Sequence, residues 1–215
     1  MPLLIITTIL WAASFSLIGE YLAGQVDSWF SVLVRVSLAA LVFLPFLRWR
    51  GIAPKVILMY MAVGACQLGI MYLFVFHAYN YLTVAEFLLF TVLTPLYVTL
   101  IYDLLERRGL RWGYVFSSLL AVIGAAVIRY DHLSDSFWTG LILVQLANIF
   151  FAIGQVGYKR LMEVHPLVQR TAFSWFYLGA CVVALAGWLL FGNFAKIPST
   201  QLQWGVLLWL GIGAS

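Results

Sequence analysis

The chain has 215 residues, 64% of them hydrophobic and only 9% charged, with 12 Lys and Arg against 8 Asp and Glu for a net charge of +4. An ordinary soluble domain is about 25% charged, so these few ionic side chains cannot clothe a core of this size in water, and lipid must cover it. The basic residues form no single face or run, which excludes a nucleic-acid partner.

A membrane-spanning helix needs about 20 mostly apolar residues. Seven stretches meet that length approximately: Leu3 to Leu22, Trp29 to Leu47, Val56 to Phe76, Val84 to Leu104, Trp112 to Ile128, Phe137 to Tyr158 and Thr171 to Phe191. The first lacks a basic leader and is followed by more spans, so it reads as a retained helix. An eighth stretch opens near Gln201 but reaches Ser215 after 15 residues, about 22 Å of helix against a hydrocarbon core of about 30 Å. The expectation is a piece of a longer chain. Arg50, Gly51, Pro54, Gly109, Pro166 and Pro198 punctuate short connections, which place consecutive helices antiparallel. A β-barrel is excluded, because the segments are twice a barrel strand's length and do not alternate.

Nine basic residues fall on alternate loops: Arg48, Arg50 and Lys55, then Arg107, Arg108 and Arg111, then Lys159, Arg160 and Arg170. The opposite loops hold Arg129 and Lys196 beside Glu20, Asp27, Asp131 and Asp135. The positive-inside rule then puts the N-terminus in the cytoplasm.

Ionisable and amide side chains within spans are the functional candidates. A guanidinium in a span costs about 2.5 to 3.5 kcal/mol to insert, so Arg35 needs a partner or a wet cavity. It can serve as counter-charge for a carboxylate substrate, or it can brace a neighbouring helix or snorkel outward. Glu86, at the start of the fourth span, is the expected counter-ion and the best candidate for a proton carrier, with His77 second. Gln145, Asn148 and Gln155 are spaced by three and seven residues and share one stripe of the sixth helix, where they bond another helix or face a cavity. Trp11, Tyr72, Phe90, Tyr97 and Trp175 can form flat apolar walls, and Asn80 can add a polar contact. Pro95 removes a backbone donor in mid-span and can kink the fourth helix.

Asp103 and Glu106 share a helix face near three arginines and read as solvated ion pairs, so no intramembrane enzyme is expected. Cys66 and Cys181 lie in apolar segments without ligand neighbours, and neither a metal nor a cofactor is expected. No G-x-x-x-x-G-K-[ST] loop is present to drive a nucleotide-powered pump.

Sliding the chain along itself sets Trp11-Ala12-Ala13-Ser14 over Phe151-Ala152-Ile153-Gly154, and Phe30-Ser31 over Phe173-Ser174. Five spans separate the two units, so the second copy is inverted, an arrangement common in secondary transporters. The ordered motifs resemble the drug/metabolite transporter superfamily, specifically its EamA-type members. They are Leu10-Trp11-Ala12-Ala13-Ser14-Phe15, then Arg35 followed by Ala39 or Ala40 and Leu44-Pro45. Ala85 and Thr94-Pro95 follow, then Glu106 with Leu105 standing where the family has glycine, and finally Ala121-Val122-Ile123-Gly124-Ala125.

The resemblance implies an all-α integral membrane protein: an EamA-type bundle of two inverted five-helix repeats, the first over 1–130 and the second, incomplete, over 137–215. It further implies a multi-pass secondary transporter of the bacterial inner membrane, surrounded by lipid. The expected substrate is a small molecule, biotin or a similar carboxylate taken up by the cell, with export of amino acids or related metabolites as the alternative. Arg35, Trp11, Tyr72, Asn148, Gln155 and Trp175 are the expected substrate contacts, and Glu86 and Pro95 the expected coupling or gating positions.

Overall fold

A computed structural model describes residues 2–105 and 135–214, together with Gly113, Phe116 and Leu120. The rest of the fifth predicted span, and with it Glu106, Arg107, Arg108, Arg111, Arg129 and Asp131, lies outside the described residues. Those described are helical or in short loops, with no strand among them. Six helices among them are long and apolar enough to cross a membrane: Ile5–Leu22, Ser28–Phe46, Pro54–Ala78, Val84–Leu105, Phe137–Val164 and Gln169–Phe191. Their outward faces carry Ile5, Ile9, Leu58, Val182 and Leu190, all more than half exposed, as a lipid-facing surface requires.

Helix α1 (Pro2–Leu17) runs into a π turn over Ile18–Leu22. Helix α2 (Ser28–Phe43) starts where Asp27 Oδ1 accepts from Phe30 N at 2.8 Å, filling one of the four orphan donors of a helix N-terminus. It ends in a 3₁₀ turn, Leu44–Phe46, because Pro45 cannot continue the hydrogen-bond ladder. The third span joins α3 (Pro54–Gly64), a π turn (Ala65–Ile70) and α4 (Met71–Ala78). The fourth is not continuous: α5 (Val84–Thr91) and α6 (Thr94–Leu105) are separated by a break at Val92 and Leu93.

The sixth span forms α7 (Asp135–Val164), longer than predicted. It stays helical past the membrane edge, where Lys159 and Arg160 pair with Glu163 one turn on, at 3.9 and 3.3 Å. Helix α8 (Gln169–Phe191) follows, then α9 (Gln201–Leu208), which runs into a π turn over Trp209–Gly213.

Helix α8 is the central strut and packs on α2, α3 and the π turn of the third span. With lipid as solvent, apolar burial does not hold helices together, and close backbone approach must. A Cβ added at Gly64 would clash with the Phe176 carbonyl, and one added at Gly179 would clash with the Met61 carbonyl. Polar ties finish the contact: Ser174 Oγ donates to the Phe43 carbonyl at 2.8 Å and Thr171 Oγ1 to that of Phe46 at 3.1 Å, satisfying orphan acceptors at the end of α2. At the opposite end of α2, Asp27 accepts from Asn193 N at 3.1 Å while its own N–H donates to the Lys196 carbonyl at 2.8 Å. The last helix returns to α2, with Gly211 set against Leu38 and the Arg35 carbonyl.

Candidate functional site

The helices enclose a cavity of about 490 Å³ between α1, α2, the third span, the break in the fourth, α7 and α8. Most of its wall is apolar or aromatic, as small-molecule sites commonly are. Arg35 is the sole charged residue lining it among the described residues. The Asp27 cap fixes where α2 begins, and two turns on the helix carries Arg35 to its inner face, 3% exposed. Its Cζ stands 4.2 Å from the ring centroid of Tyr72 on α4, and Nη2 donates to the Ala214 carbonyl at 3.2 Å. A guanidinium over a ring face is held by the ring's quadrupole, and here it remains inside rather than snorkelling to an interface. In surroundings of low dielectric its field favours an anion in the cavity.

Trp11 also lines the cavity, edge-on to Phe151 of α7 with centroids 6.5 Å apart. Phe173, Phe176 and Tyr177 of α8 continue the aromatic lining. Trp175, expected among these walls, is not: one residue of helix turns a side chain by about 100°, and its indole N–H donates to the Arg48 carbonyl at 3.1 Å. Phe90 is buried against Phe137 with centroids 5.7 Å apart and takes no part in the lining. Asn80 accepts from Gly24 N at 3.1 Å, a loop contact.

The break in the fourth span presents Thr91, Thr94 and Pro95 to the cavity. Pro95 has no N–H to offer the Thr91 carbonyl, and Thr94 Oγ1 stands 2.6 Å from that oxygen. Asn148 of α7 reaches across: Nδ2 donates to the Phe90 carbonyl at 3.0 Å, and Oδ1 lies 2.9 Å from Thr94 Oγ1. Gln145 joins the same network, its Oε1 accepting from Tyr97 OH at 3.0 Å. Irregular backbone at membrane depth is thus satisfied by side chains beside a cavity. Asn148 lines the cavity, yet both ends of its amide are engaged with the broken helix. Gln155, two turns further along α7, lines the cavity as well.

Glu86 stands apart from the lining. Its Oε2 accepts from Thr83 N and Thr83 Oγ1, both at 2.7 Å, closing a capping box that starts α5. His77 Nδ1 is 2.7 Å from the Leu73 carbonyl, and its ring meets Trp29 edge-on. Sequence reasoning passed over Ser14, whose Oγ donates to the Leu10 carbonyl at 2.6 Å, and Gln67 of the π turn in the third span. Both line the cavity. Gln67 carries the same signal as Arg35, a strongly polar side chain deep in an apolar span.

Residues 1–130 match the model of the EamA-like transporter family. A protein named biotin transporter from Escherichia coli (strain K12) is 68% identical over all of this chain, which covers 72% of that relative. Its namesake from Salmonella typhimurium is 69% identical over the same shares. A probable biotin transporter of Pseudomonas aeruginosa is 54% identical, again over all of this chain and over 76% of the relative. A solved structure, described only as the crystal structure of a protein, superposes with a TM-score of 0.63 at 19% identity, over 97% of this chain and 70% of its own. That likeness shows the fold.

Proposed function

The chain belongs to the EamA-like transporter family, and from that premise we propose that it is a secondary transporter taking biotin up across the bacterial inner membrane. The observation that carries the reading is the buried guanidinium of Arg35, the one charged group among the described residues that line an otherwise largely apolar cavity. A substrate with one carboxylate, an apolar chain and a compact ring matches it. Arg35 takes the carboxylate in a charge-assisted pair, Tyr72 steadies the cation, and Trp11 with the α8 aromatics shields the apolar part. No Asp or Glu lines the cavity among the described residues, so the ammonium of an amino acid would find no counter-charge there. This favours biotin over amino-acid export.

Access alternates, in this reading, by flexing the fourth span at its break, where Asn148 and Thr94 bridge two half-helices. The N-terminus is cytoplasmic, and the chain comprises two inverted repeats, 1–130 and 137–215. Two features support the repeat: the third span and the last helix each pass into a π turn, at Ala65 and at Trp209, and each lies against the second helix of the other unit.

Labelled-biotin uptake by cells lacking their own transporter tests the proposal. Uptake at nanomolar concentration, lost with Arg35→Ala while the protein remains in the membrane, is the expected result. An inserted protein that moves no biotin would overturn it.

A further inference from the structure

Gln67 lies near the middle of the third span, 7% exposed, and lines the cavity. Its Oε1 makes no hydrogen bond among the described residues, whereas three other polar side chains of the lining are spent on the protein. Ser14 donates to Leu10, Thr91 Oγ1 donates to the Leu88 carbonyl at 2.7 Å, and Asn148 serves the helix break. A buried amide left without a partner costs about 1 to 3 kcal/mol, so a site that keeps one gains when a ligand completes it. Its position is also prepared: Gly154 of α7 sits so close that a Cβ there would clash with Cβ and Cγ of Gln67.

Arg35 and Gln67 therefore offer the cavity two different kinds of polar contact. Arg35 and Tyr72 form a cationic contact. Gln67, five residues before Tyr72 and so about 7 Å back along the span, forms a neutral amide contact. A primary amide offers N–H and C=O side by side. The complementary edge is a cyclic amide or urea, whose N–H and C=O are also adjacent, and the ureido ring of biotin has that edge.

Resting on the biotin reading above, we infer that Gln67 is the specificity residue for the cyclic urea, pairing through Oε1 and Nε2 with one ureido N–H and the ureido C=O. Gly154 is the positioning residue that seats it. A site built to hydrogen-bond a substrate group rejects an analogue lacking that group far more strongly than an apolar pocket does.

The test is competition against labelled-biotin uptake by the full-length protein, comparing unlabelled biotin with biotin methylated on both ureido nitrogens. The wild type should prefer biotin by about tenfold or more. Gln67→Leu should weaken biotin to the level of the methylated analogue, bringing the ratio near one, while octanoate, which shares only the carboxylate and chain, competes unchanged. Gly154→Ala should shrink the ratio in the same direction. A Gln67→Leu protein that transports and keeps the wild-type ratio overturns the assignment and leaves the biotin reading intact. Absence of uptake by the inserted wild type overturns both.

Discussion

At the scale of single residues, the decisive quantity is what each buried polar group is already bonded to. Arg35 contributes most, because hydrogen bonds to charged groups are worth about 1.5 to 3 kcal/mol. Arg35→Ala should therefore raise the apparent KM for biotin by about tenfold or more, measured as initial uptake rate against concentration. Arg35→Lys should recover only part of the loss, because a point charge replaces the planar fork. Trp175 gives the opposite expectation. Its indole serves the Arg48 carbonyl outside the cavity, so Trp175→Phe should cost about 1 kcal/mol of stability, read as a small drop in melting temperature in detergent, with the KM unchanged. Arg35 was legible in the sequence because a cation in a span advertises its own cost. The exclusion of Trp175 was not, since one step around a helix separates a cavity wall from an interfacial anchor. Glu86 shows a third case: Thr83 beside it offers a complete local cap, which the expectation of a distant counter-ion did not consider.

At the scale of elements, two helices are shaped by what they lack. The fourth span breaks before Pro95, and Asn148 supplies the Phe90 carbonyl with a donor. Asn148→Leu leaves that buried carbonyl without this donor and should destabilise the protein by about 1 to 3 kcal/mol, visible in a thermal melt of the purified protein. Pro95→Ala restores the missing N–H and should straighten the span. The expected result is a lower maximal uptake rate with little change in KM, the signature of a conformational rather than a binding defect. The crossing of α3 with α8 depends on glycine in both partners, because each Cα lies against the other helix's backbone. Gly64→Val should abolish accumulation of folded protein, judged by fluorescence-detected size exclusion, whereas Gly205→Val, with open space around it, should not. The kink was foreseen from Pro95, but its rescue by Asn148 was not, because the stripe of amides on α7 says only that they face protein.

At the scale of the whole molecule, the proposed orientation makes a topological prediction. With Cys66 and Cys181 replaced, a cysteine at Arg50 should be shielded from a membrane-impermeant thiol reagent in intact cells, and one at Ser199 should react; the reverse pattern would place the N-terminus outside. The sequence alone determined that the chain is a helical membrane bundle and roughly where the six described spans run, because lipid demands that every backbone group be satisfied within its own segment. That requirement is local, so apolar runs, Pro, Gly and loop charges reveal it. Only the tertiary structure decided which polar side chains meet around the cavity. Arg35 comes from the second span and Tyr72 and Gln67 from successive turns of the third, and their convergence depends on the rotation and close approach of packed helices. It also decided that the Asn148 amide is engaged with the broken span while Gln67 Oε1 stays open to the cavity, because hydrogen bonds between helices exist only once the helices have packed.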